Sequence, residues 1–261
     1  MRRASSGAFV AFLGLLGACA STPGHVAKRT GELTVSTGQP DHVPFIRGPG
    51  SLAFREARSE VARLSLEYDA LRMVATGTGS AGADVVDLPL TAKATDITTL
   101  VVVAVFHGHT RVGARDIRTD AELDAATSSF AGSPGTVALL RVDDEADLDD
   151  VIHVSKALHD RGIAVRVLGS VAPNEPLAKD RGSDCKHPAS IEVGPGELVV
   201  VQVRIDEDGQ GRAGVVHVLE TPRPGFAWPA AVCATLTRFT GSSAPAGPGA
   251  ASRLLAVRFE R

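Results

Sequence analysis

Aromatic side chains make up only 4% of the 261 residues, with a single Trp and a single Tyr. A platform that stacks nucleic-acid bases needs more of them. Basic excess is missing too. The 27 Lys and Arg face 30 Asp and Glu, a formal net charge of −3, where a nucleic-acid surface calls for a positive one. These two absences exclude nucleic acid as a partner. No apolar run reaches the ~18–20 residues that cross a bilayer, so no transmembrane helix is expected. Three cysteines are too few for a disulfide-dense scaffold and too scattered for a zinc ribbon. No Gly-x-Ser-x-Gly, Walker loop or His-Glu-x-x-His occurs, so neither an enzyme nor a cofactor is expected. What is present is a hydrophobic content of 44%, enough for one large domain or two small ones with packed cores.

Arg2 and Arg3 precede an apolar run over 8–18. A basic start and a hydrophobic stretch of roughly 7–15 residues form a secretory signal. The run ends Leu16-Gly17-Ala18-Cys19, which resembles the bacterial lipobox. That resemblance implies cleavage after residue 18 and acylation of the Cys19 thiol, with small residues before the cut admitting the peptidase. Residues 1–18 are therefore expected to be a lipoprotein signal peptide. The lipid anchor would hold the chain on the periplasmic face of a membrane. No Asp follows Cys19, and the next residues, Ala20 and Ser21, favour the outer membrane.

Residues 19–50 are rich in Ser, Thr, Gly and Pro without a period and are expected to form a flexible tether. An amphipathic helix is expected over 51–76. Phe54, Ala57, Val61, Leu64, Tyr68 and Leu71 recur at spacings of three and four. The stripe suits a seam for a partner or second copy or a face packed on the chain's own domain; Ala57 and the short length favour the latter. Over 84–170, strand and helix signals alternate, which predicts an α/β domain. Strands are expected at 85–90, 98–106, 137–142 and 163–168, with a hairpin turn at Gly108. Thr119 and Glu122 form a capping box for a helix burying Leu123, Ala126, Thr127 and Phe130. Asp147 caps a second helix burying Leu148, Val151, Ile152, Ser155 and Leu158, closed by Gly162. Residues 171–183 serve as a linker. An α+β unit over 184–261 follows. Val199, Val201, Val203 and Ile205 alternate inward, 207–211 turns the chain, and 215–220 returns. Trp228, Val232, Leu236 and Phe239 mark a helix face, and a last strand covers 254–259.

The stretch VVVQVRIDEDGQG, then GVVHVLE, a Pro/Gly loop, a helix ending at Thr240 and a terminal Val257-Arg258-Phe259-Glu260 resemble the C-terminal domain of TonB-family energy transducers. Some members carry Cys-x-x-Pro before the first strand and a second Cys in the helix. Cys185-Lys186-His187-Pro188 and Cys233 fit that variant, which implies a Cys185–Cys233 disulfide. The segment Val86-Asp87-Leu88-Pro89, the VVVAVFHGHTRV hairpin and VALLRVDDEADLDDVIHVSKALHDRGI resemble the periplasmic domain of ExbD/TolR proteins. The departure is a lipid anchor where those proteins have a transmembrane helix with a proton-path Asp. Together the resemblances imply a non-enzymatic envelope lipoprotein acting as an interaction component of a TonB-ExbB-ExbD or Tol-Pal-like transport system. The partners implied are envelope proteins of that system, a TonB-dependent receptor segment, peptidoglycan or a second copy of the chain. An alternative is a structural, peptidoglycan-associated role. The last strand, Leu254, Leu255, Ala256, Val257, Arg258 and Phe259, would be the edge that takes an extended peptide, unless the chain's own loop or a second copy covers it. Leu255, Val257 and Phe259 would face the core and Leu254, Ala256 and Arg258 the outside.

Other pairings read as ordinary structure. His107 and His109 flank a turn and offer two ligands, where zinc takes three or four. His153 and His159 lie too far round a helix to converge. The acidic run 143–150 lacks the mid-loop Gly and terminal Glu of a calcium loop, and its acids suit helix capping and the macrodipole. Cys185 and His187 would diverge in an extended segment. No metal site is therefore expected.

Overall fold

The structure is a computed structural model, and it describes residues 26–30, 33–37, 43–77, 84–89, 96–168, 178–179, 193–208, 210–238 and 252–260. Among these residues the protein is mixed α and β, with four helices. Cys19, Cys185 and Phe239 lie outside the described residues.

The first sheet is built from β1 (Val26–Thr30), β2 (Leu33–Thr37), β3 (Phe45–Pro49), β4 (Ala70–Thr76) and β5 (Asp84–Pro89), in that order. Helix α1 (Phe54–Glu67) crosses between the parallel pair β3 and β4. Strands over part of 26–49 correct the expected tether. Leu33, Val35 and Ile46 are buried, because the α1 stripe Phe54, Ala57, Val61 and Leu64 needs an apolar floor. The helix is also shorter than 51–76. Tyr68 is its C-cap, and Leu71 belongs to β4. All four stripe residues are fully buried, so the stripe is a packing face within the chain.

The second segment contains β6 (Thr99–Phe106), β7 (His109–Val112), β8 (Arg115–Ile117), α2 (Asp120–Thr127), β9 (Thr136–Val142), α3 (Leu148–Asp160) and β10 (Ala164–Leu168). Gly108 supplies the positive φ of +67° that the β6–β7 turn requires. The Thr119–Glu122 capping box opens α2. β10, β9 and β6 are parallel, and β6 reads as an unbroken apolar run after Thr99 because both its faces are covered, while β9 is interrupted by the buried Arg141. β5 does not join them, as the expected α/β order would have it. It pairs with β4 and closes the first sheet.

After β11 (Ala178–Lys179), the third segment forms β12 (Leu198–Glu207), β13 (Ala213–Glu220), α4 (Ala227–Thr235), β14 (Thr237–Arg238) and β15 (Ser252–Glu260). β13 pairs antiparallel with β6, matching Val215 with Val101 and His217 with Thr99. One eight-stranded sheet therefore runs β10-β9-β6-β13-β12-β15, with β7 paired to the distal half of β6 and β8 to β7. β11 pairs with β14, apart from it.

Two cores result. Val101, Val103, Val105, Ala138, Leu140 and Val165 pack with α3, α1 and the first sheet. Leu100, Val102, Leu139, Val201, Val203 and Phe259, on the opposite face, pack with α4. The α4 contact differs from the expected Trp228-Val232-Leu236 line. Ala227, Ala230, Ala231 and Ala234 are buried beside Trp228, while Val232 and Leu236 are only partly so. Small side chains let the helix lie close on the sheet. Pro229 is tolerated in the first turn, where no helical acceptor awaits an N–H.

Candidate interaction edge

β15 is the last strand of the large sheet, and among the described residues it pairs only with β12. The ladder is unbroken from Leu198↔Glu260 to Asp206↔Ser252. Such a strand presents alternate N–H and C=O groups outward, a template for one more strand. Its side chains follow the two-residue period. Val257 and Phe259 are fully buried and Leu255 partly so, whereas Leu254 is 76% exposed and Ala256 and Arg258 are exposed. Phe259 meets Phe226 edge-on, with ring centroids 5.1 Å apart. Arg253 pairs with the buried Glu207 carboxylate of β12, which gives that carboxylate the counter-charge burial demands. Two anchors thus fix the strand's inner face, and Leu254 and Arg258 are left to solvent.

Cys233 lies half-exposed on α4 and is disulfide-bonded. The segment that would carry its expected partner Cys185, and the acylation site Cys19, fall outside the described residues.

The histidines flanking Gly108 point to different places. The His109 ring stacks on Phe106, with centroids 4.6 Å apart and planes within 5°. His107 faces the start of α3. Its Nδ1 lies 3.3 Å from Asp147 Oδ2 and 3.9 Å from Asp150 Oδ2. Sequence reading treated the hairpin histidines and the capping acids separately, and no spacing rule reveals that a turn at 107 meets a helix start at 147. His153 instead pairs with Asp120 at 2.8 Å, tying α3 to α2. The acidic run is divided. Arg58 and Arg55 of α1 pair with Asp144 and Glu145. No described Lys or Arg pairs with Asp147 or Asp150. Partial burial, together with Asp84, Asp147 and Asp150 nearby, pushes the Asp149 carboxyl above its ordinary range.

Arg111, Arg141 and Arg212 line a cavity of ≈ 20 Å³ beside Gly113 and Gly214, room for about one water. A larger groove of ≈ 400 Å³ lies between β5, α3 and β10 and is mostly apolar. No family model, curated protein or solved structure matches the chain.

Proposed function

We propose that the chain is a non-enzymatic envelope lipoprotein that captures an extended segment of a partner protein by strand addition at β15, as a component of a TonB-ExbB-ExbD or Tol-Pal-like transport system. The observation that carries the reading is the edge itself: a nine-residue strand paired on one side among the described residues, with a buried and an exposed face. Main-chain bonds would supply affinity, and the outward Leu254 and Arg258 would select an apolar and an acidic partner residue. The finer fold assignment, an ExbD/TolR-like domain followed by a TonB-like one, belongs to the same reading. It is supported by the element order over 99–168 and 198–260 and by the sequence stretches quoted above. Within it, Cys19 is the acylated residue and anchors the chain to the periplasmic side of the outer membrane. Cys185 is the partner of Cys233.

The test is in-cell photocrosslinking from position 254, on the same outward face of β15 as Arg258, followed by identification of the adduct. An envelope-protein adduct that weakens in an Ala256→Pro chain with unchanged circular dichroism is expected, since Pro removes a strand donor. Arg258→Glu should weaken it without touching the ladder. An adduct unaffected by both substitutions rejects strand addition here. Crosslinks to the chain itself identify the edge as a dimer seam. Co-sedimentation with peptidoglycan unaffected by either variant favours the structural role.

A further inference from the structure

The β6–β7 turn and the first turn of α3 are about forty positions apart in sequence, yet they bring three metal-competent donors together. His107 offers Nδ1, and Asp147 and Asp150 each offer a carboxylate oxygen, all within 4.8 Å of one another. Around an ion bound at ~2.0–2.2 Å, tetrahedral donor atoms lie roughly 3.3–3.6 Å apart. The observed 3.3 and 3.9 Å separations from Nδ1 are close to that span. His107 is 70% exposed, so its ring can turn to close the difference.

The Asp150 carboxylate is held in place. Asp150 Oδ2 accepts the Asp147 N–H at 3.1 Å and the Gly108 N–H at 3.4 Å, so the hairpin and the helix start share one oriented group, in the manner of outer-shell hydrogen bonds that aim a ligand. Charge separates these acids from their neighbours. Asp144 and Glu145 are neutralised by arginines of α1, while Asp147 and Asp150 face only the imidazole among described cationic side chains. A neutral imidazole aiming its Nδ1 lone pair at two carboxylates would repel them. Nδ1 therefore meets these carboxylates either through a hydrogen it carries, as the neutral Nδ1–H tautomer does, or through a metal ion bound between the groups.

We propose that His107, Asp147 and Asp150 form a binding site for a divalent first-row transition ion of the zinc class, with water completing its coordination. One imidazole with two carboxylates suits this class. Calcium and magnesium prefer all-oxygen sites, and monovalent copper prefers sulfur. The bound ion would clamp the β6–β7 turn to α3.

The test is calorimetric titration of Zn²⁺ into the mature, oxidised protein. One saturable site is expected, weakened at least about tenfold by His107→Ala. That residue is exposed, and its removal should leave the metal-free melting temperature unchanged. His109→Ala and His153→Ala should bind as the parent does. Co²⁺ in the same site should show no thiolate charge-transfer band. Absence of saturable binding, parental affinity in His107→Ala, equal loss in His153→Ala, or a thiolate band would each overturn the assignment.

Discussion

Gly214 stands where the second and third segments join, and replacing it tests the single continuous sheet. It lies in β13 beside the β7–β8 turn. A Cβ built there would sit 2.8 Å from Gly113 Cα and 3.3 Å from Gly113 C. Both are backbone atoms, so no rotamer change relieves the contact. Gly113 is itself held at a φ of +58° and donates its N–H to Val102 O of β6. In an unconstrained strand, Gly→Ala would stabilise by roughly 0.5–1 kcal/mol through the unfolded chain. Overpacking against fixed backbone costs about 1–3 kcal/mol. The clash wins, and Gly214→Ala should lose about 1–2 kcal/mol, a melting temperature lower by roughly 2–8 °C for a domain of this size. Gly194→Ala is the control. Its Cβ would meet only the Glu197 side chain and should change stability by no more than about 0.5 kcal/mol. Urea unfolding followed by circular dichroism reads both. A Gly214→Ala protein as stable as the parent would refute the close approach, and with it the junction of β6 and β13 into one sheet.

Four further outcomes are expected. Cys19→Ser should move the protein from the membrane to the soluble periplasmic fraction, and mass spectrometry of the parent's N-terminal peptide should show acyl chains. Peptide mapping without reductant should recover Cys185 linked to Cys233, and reduction should lower stability by about 2–4 kcal/mol. Asp116→Asn should cost less than about 1 kcal/mol at neutral pH, since the Asp116 carboxylate is more than half exposed. The Arg111 hydrogen bond lowers the Asp116 pKa below its ordinary value of 3.8, so this contribution is present above that value. It should vanish as acid titrates the carboxyl through its lower folded value, so parent and variant melting curves converge there. Leu139→Ala, in the centre of β9 and fully buried, should cost about 2–5 kcal/mol by thermal melting.

Local elements were legible because their signals are local. The capping box at Thr119, the Asp147 cap, the Gly108 turn and the inward alternation of Val201, Val203 and Ile205 each follow from a few residues. Partnership between strands did not follow. β5 is a short apolar run interrupted by Asp87, and nothing in Val85-Val86-Asp87-Leu88 states that it pairs with β4. The strands over 26–49 were hidden by Ser, Thr, Gly and Pro. β2 buries Leu33 and Val35 and β3 buries Ile46, too few to set a period. On α4, the pattern of large residues misled because the sheet selects alanines for closeness. The His107 cluster was invisible for another reason. Its members belong to two motifs, each with an adequate local explanation, and only the packing of α3 on β6 brings them together.

That packing also separates the two sites. β15 is three strand spacings from β6 through β13 and β12, about 14 Å across the sheet. α3 packs with one face of the sheet's β6 half, whereas α4 covers the other face with β12, β13 and β15. No residue of the His107 cluster belongs to β12, β13 or β15. Perturbations at such a distance and without shared partners combine additively to within about 0.3–0.5 kcal/mol. His107→Ala should therefore leave the crosslink from position 254 intact, and Arg258→Glu should leave zinc affinity unchanged. If the double variant departs from the product of the two single effects, the continuous sheet transmits strain between the turn at His107 and the edge at β15. A metal at the turn would then set how readily that edge accepts a strand.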